Sequence, residues 1–129
     1  MADKLQFSLV SPERELFAGS VDQVDVPGTE GDLGILPNHS PLMAAIRTGV
    51  ITVMDGGATS QYFVAGGFAD VTPDGLTILA ERALPLGDLD RDALSREISD
   101  AEAALASLTG DAQMAATQHL DGLKAVASA

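Results

Sequence analysis

The chain contains no cysteine. That absence removes disulfide scaffolds, thiolate nucleophiles and cysteine-based zinc sites together. Basic residues are scarce: seven Lys and Arg stand against 19 Asp and Glu, for a formal net charge of −12. Phosphate backbones require clustered Lys and Arg, so no nucleic-acid partner is expected, and an anionic membrane surface is disfavoured for the same reason. The acidity fits solubility as readily as electrostatic steering. No stretch approaches the roughly 18 unbroken apolar residues of a membrane span. The start, Met1-Ala-Asp-Lys4, has neither a basic region with an apolar run after it nor an Arg-rich amphipathic pattern. It predicts a chain that begins at its mature N-terminus and acts where it is made.

What is present is 129 residues of which 46% are hydrophobic, enough for a globular domain with a core and a small appendage. A seam falls near Gly87. All six prolines and eleven of the thirteen glycines lie at or before it, whereas residues 88–129 hold no proline, two glycines and eleven alanines. The first part is punctuated by turn formers and the second is built from helix formers. In the first part Leu5, Phe7 and Leu9 alternate with polar neighbours, as do Val24 and Val26. Further strand runs occupy 49–54, 61–65 and 76–79, with turns expected at Asp55-Gly-Gly57, Pro73-Asp-Gly75 and Pro27-Gly28. Short strands without intervening crossover helices predict an antiparallel sandwich or barrel.

The second part predicts two helices. Leu94, Ile98, Ala101, Leu105 and Leu108 share one stripe, with Asp88 and Asp90 as candidate N-caps and Asp92 and Glu97 near the positive helix end. Thr109-Gly110-Asp111 stops one helix and starts the next, Asp111 being the expected cap. Ala112, Ala116, Leu120, Leu123 and Ala127 form the second stripe. The expected fold is therefore α+β: a β-sandwich over 1–87, then an antiparallel helical hairpin over 88–129. Small residues make that hairpin's packing shallow, so it should be marginal alone and able to detach.

Chemistry is hard to find. His39 and His119 lack carboxylates or a second histidine at metal-ligand spacing, and no Gly-x-Ser-x-Gly elbow is present. Gly28, Gly31 and Gly34 lack the Gly-Lys-Ser/Thr ending and following helix of a phosphate-binding loop, so they read as turn glycines. Glu30 and Asp32 form a carboxylate pair of the kind that so many acidic residues produce by chance. No catalytic, cofactor or metal site is predicted.

The order of parts and several segments together resemble the epsilon subunit of F-type ATP synthases. The segments are Ser11-Pro-Glu13, Leu16-Phe-Ala-Gly19, Val26-Pro-Gly-Thr-Glu-Gly-Asp-Leu-Gly-Ile-Leu-Pro-Asn-His-Ser-Pro-Leu42, Gly66-Gly67 and Leu79-Ala-Glu-Arg-Ala83. The resemblance covers essentially the whole chain. It implies a non-catalytic rotor part joining the gamma subunit to the ring of membrane c subunits. It also implies a hairpin that folds against the sandwich or extends beside gamma toward the catalytic head. The location implied is peripheral, on the cytoplasmic face of a bacterial inner membrane. Asp32 matches the family's acidic position at the ring's polar loop, although an ordinary turn aspartate explains the residue alone equally well. His39 matches the histidine of the same stretch, at that contact or satisfying backbone groups. Family members that bind ATP carry Ile/Leu-Asp-x-x-Arg-Ala. Here Leu89-Asp90-Arg91-Asp-Ala93 has alanine at the arginine position, with Arg91 two places early. Residues 111–129 offer only Lys124 and His119 as basic groups, so weak self-inhibition is expected. A module that senses a small molecule, such as a nucleotide, is the alternative.

Overall fold

A computed structural model describes residues 4–129; the start expected at Met1-Ala-Asp3 lies outside them. Eight strands come first: β1 (Leu5–Val10), β2 (Glu15–Val21), β3 (Gln23–Gly28), β4 (Gly31–Ile35), β5 (Leu42–Ala45), β6 (Gly49–Asp55), β7 (Ala58–Thr72) and β8 (Gly75–Pro85). A 3-10 turn over Leu86–Asp88 leads to α1 (Arg91–Leu105) and α2 (Gly110–Ala127). The strands are ordered β2-β1-β8-β7-β6-β3-β4, with β5 on β7. Leu9, Val21, Val24, Ile35, Ile51, Val64 and Ile78 belong to one buried cluster, although they come from strands at both ends of that order. The sheet therefore folds over on itself into a sandwich around them.

The fold turns on the 15-residue strand β7. Its first half pairs with β6 and its second with β5, while β8 pairs with it from Tyr62 to Thr72. Tyr62 and Val64 face the core, but beyond the corner the core residues are Ala69 and Val71, so the inward alternation changes parity. Gly66 (φ 78°) and Gly67 (φ 129°) make that change. A side chain at Gly67 would meet the Leu79 carbonyl oxygen, which only glycine avoids. One outer face is thus built from β3, β4, β6 and the near halves of β7 and β8. The other is built from β1, β2, β5 and their far halves.

The first outer face is covered by the hairpin. Phe63, Leu86, Leu94, Leu123 and Val126 form a second buried cluster, flanked by Val50, Ala65, Leu84, Leu89, Ile98 and Ala101. This explains why Tyr62, Phe63 and Val64 are buried consecutively: both faces of β7 are covered there.

Several expectations shift. Pro27 and Gly28 are not a turn but the end of β3; the turn is Thr29-Glu30, and the expected loop beyond it contains β4. β1 and β8 pair in parallel (Phe7 opposite Leu76, Leu9 opposite Ile78), a single exception to the antiparallel plan. In α2, Ala112 and Ala127 are exposed, and Gly122 and Val126 join Leu120 and Leu123 in the buried stripe. Asp90 caps α1 through Asp92 and Ala93 N–H. Asp111 is not a cap: Thr109 takes that position without a side-chain bond, and Asp111 lies in the first turn.

Candidate functional site

Among the described residues, no group of three or more metal-ligating side chains is arranged to hold a metal ion. The polar and apolar features that remain lie at one end of the sandwich, along the hairpin seam and on the bare outer face.

At the end of the sandwich, the β3–β4 register sets Asp32 opposite Pro27. The Pro27 carbonyl accepts the Arg47 N–H at 2.9 Å, and Arg47 Nη2 donates to Asp32 Oδ1 at 2.6 Å. Asp32 is 76% exposed and Arg47 28%. Arg47 Nη1 is buried and has no hydrogen-bond partner among the described residues. A largely exposed pair of this kind contributes about 0–1 kcal/mol. The pair therefore adds little to the stability of the fold; what it fixes is geometry. Asp32 also lines a cleft of about 520 Å³ between the β3–β4 turn and β5, with Glu30 beside it.

His39 is not brought to Asp32. It stands in the loop after the far end of β4, where its N–H donates to the Leu36 carbonyl at 3.2 Å and its Nδ1 lies 2.8 Å from the Ser40 carbonyl oxygen. The carbonyl can only accept, so Nδ1 carries the proton. Pro37 followed by Asn38 at φ 64° is the pattern of a type II turn.

The three residues at the altered nucleotide motif have internal partners. Leu89 packs in the second cluster and Asp90 caps α1. Arg91 Nη1 donates to the Val126 carbonyl at 3.1 Å, satisfying a group at the C-terminal end of α2. Arg91 thereby ties the start of α1 to the end of α2.

Along the seam, Thr48 Oγ1 lies 2.6 Å from His119 Nδ1 and Gln118 donates to the Thr29 carbonyl at 2.9 Å. Arg82 grips Glu97 with both guanidinium arms (2.8 and 3.1 Å) while stacking 5.0 Å from the Phe63 ring. Hydrogen bonds from Arg82 hold the Glu97 carboxyl below its ordinary pKa, and those to Glu97 raise Arg82. Beside the seam a groove of about 1020 Å³ opens between α2 and β3, β4 and β6.

On the bare outer face, Met43, Phe68 and Leu79 are 68, 56 and 57% exposed. Phe68 pairs with Leu79 on one side and Ala45 on the other, and Met43 lies two residues along β5. Phe68 and Leu79 adjoin and Met43 lies diagonally across from Phe68, with Asp70 directly opposite Met43. Sequence alternation missed Phe68 because the parity change at Gly66–Gly67 was invisible, the glycine pair itself being the available signal; Leu79 faces outward by the alternation of β8 with Leu76, Ile78 and Ala80. Arg47, Thr48 and Gly122 were also missed, and of these only Gly122 left a trace, as an unexplained glycine inside a helix.

Comparison with known proteins adds the lineage. The family model for the ATP synthase delta/epsilon chain β-sandwich domain matches residues 4–86. The ATP synthase epsilon chain of Maricaulis maris is 62% identical over 101 residues, 78% of this chain and 76% of that one. That of Parvibaculum lavamentivorans is 53% identical over 126 residues, 96% of each. The chain belongs to the ATP synthase epsilon family. The resemblance carried by the segment from Val26 to Leu42 is thereby borne out. The epsilon fold recurs in a chain of the Euglena gracilis mitochondrial ATP synthase OSCP/F1/c-ring structure, at TM-score 0.79 over 97% of this chain and 80% of that one. Identity there is 23%, a likeness of fold. A Tetrahymena thermophila mitochondrial central-stalk/c-ring structure gives 0.55, at 14% identity and about 70% coverage of each chain. Among the described residues of the epsilon chain, no helix is long and apolar enough to cross a membrane.

Proposed function

We propose that this epsilon chain is a non-catalytic central-stalk part that links gamma to the c ring and so couples ring rotation to ATP synthesis. The observation that carries the proposal is the bare apolar patch of Met43, Phe68 and Leu79. An apolar surface left open on the face away from the hairpin marks a protein contact. The patch takes gamma, and Asp32 at the end of the sandwich meets a basic group on the ring's polar loop by a charge-assisted hydrogen bond. His39, fixed by its own turn, supports the same stretch from the far end of β4. The complex holds the chain peripherally on the cytoplasmic face of the bacterial inner membrane.

The two parts divide this labour. Residues 1–87 carry the coupling contacts, and 88–129 form a hairpin that meets the catalytic head only transiently and regulates weakly. Asp90 and Arg91 are committed to helix ends, so the altered motif offers neither of them to a nucleotide phosphate.

The deciding experiment is F68D in the full chain. It should abolish co-purification with gamma while far-UV circular dichroism stays unchanged; retained gamma binding would refute the assignment of the patch. Deleting 88–129 should change ATP hydrolysis by the assembled enzyme little, and a many-fold rise would overturn weak self-inhibition.

A further inference from the structure

We propose that Arg47 is a positioning residue for the ring contact, holding the Asp32 carboxylate in the pose in which the ring meets it. The inference rests on the assignment of Asp32 above. Gly31 precedes Asp32 at φ 132° and Gly34 follows two residues later, so little on β4 itself restrains the side chain. At 76% exposure an untethered carboxylate samples several rotamers, and each must be given up when a partner binds. Arg47 removes that freedom at 2.6 Å.

Arg47 is itself fixed twice. Its backbone N–H is tied to the Pro27 carbonyl, and Pro27 is the residue opposite Asp32. Its guanidinium lies over Gly49, where an added β-carbon would crowd Pro27 rather than Arg47. A β-carbon there would stand 3.0 Å from Pro27 Cβ and 3.9 Å from Arg47 Nη1. With Nη1 buried against this floor, the planar fork turns Nη2 outward to Asp32. A lysine reaches the same place as a flexible point charge without that planar constraint. The pair adds little stability, as found above, so stability does not account for it; a fixed carboxylate does. Arg47 does not cancel the charge of this end, because Glu30 and Asp32 together still exceed it by one.

The test uses the full chain with a purified gamma–c-ring assembly. Dissociation constants and melting temperatures are measured for wild type, D32N, R47A, R47K and D32N/R47A. The expected result is a loss of about tenfold for D32N and for R47A, in the range of a lost charge-assisted hydrogen bond. R47K recovers only part, and the double variant binds no worse than D32N alone, all at unchanged melting temperature. An R47A affinity equal to wild type beside a weakened D32N overturns the positioning role and leaves the assignment of Asp32 standing. Additive losses in the double variant overturn it as well. If D32N binds as wild type does, the ring contact of Asp32 falls and the positioning role with it. Should R47A fail to fold, R47K decides, and wild-type affinity there counts against the proposal.

Discussion

Gly122 of α2 lies against Thr48 so closely that a β-carbon at position 122 would collide with the Thr48 carbonyl oxygen. Thr48 is 5% exposed and immediately precedes β6, so its carbonyl has no room to retreat. Two effects oppose each other in Gly122→Ala. Helix propensity favours alanine by about 1 kcal/mol, whereas forcing extra volume into a packed contact costs about 1–3 kcal/mol. Because the obstacle is backbone, the steric cost wins. The expected outcome is a hairpin released from the sandwich, seen as faster amide hydrogen exchange throughout α1 and α2 with β1–β8 unchanged. Unaltered protection in α2 would show that the contact is not decisive.

Docking depends on apolar burial far more than on the ion pair beside it. Leu123 is fully buried in the second cluster, so Leu123→Ala should cost about 2–5 kcal/mol. Arg82 and Glu97 are 47 and 35% exposed, and a solvent-screened pair contributes about 0–1 kcal/mol. Hydrogen exchange of the hairpin should therefore respond strongly to Leu123→Ala and only slightly to Arg82→Ala. The reverse order would mean that electrostatics hold the hairpin down.

Acid should loosen the same seam. The Arg82 hydrogen bonds lower the folded-state pKa of Glu97 below its ordinary value. A depressed carboxylate contributes stability that is present above the unfolded value of about 4.3 and is lost as pH falls through the lower folded value. Hairpin protection should decline over that acidic window, and Glu97→Gln should remove this part of the decline. Asp22 is lowered first by the Gly56 N–H and then by Lys4, within the sandwich, so Asp22→Asn should leave the hairpin's acid response intact. An identical profile in Glu97→Gln and wild type would exclude the Arg82–Glu97 pair as the origin.

Local structure was largely legible in the sequence. Asp55-Gly-Gly57 closes the β6–β7 hairpin with positive φ at both glycines, and Pro73-Asp74 closes β7–β8. Gly110 takes the left-handed conformation (φ 62°) between the helices, and Asp90 caps the first of them. Each of these outcomes is decided within a few residues, by steric freedom at glycine or by a side-chain oxygen beside unpaired N–H groups. Pro27-Gly28 misled because the same residue types also end strands; the register with Asp32 and Gly31 moved the turn two residues on.

The sequence alone determined the inward positions of β1 and β3, the two helices, the seam between strands and helices, and the family to which Asp32 belongs. Only the tertiary structure decided that Phe68 faces outward, because the corner at Gly66–Gly67 reverses the alternation of β7 and sets Phe68 bare beside Leu79. It alone joined Asp32 to Arg47 across 15 residues and set Gly122 on Thr48 across 74. Periodicity records which way a side chain points from its own backbone. Which backbone lies opposite is settled by strand pairing and packing among residues far apart in the chain.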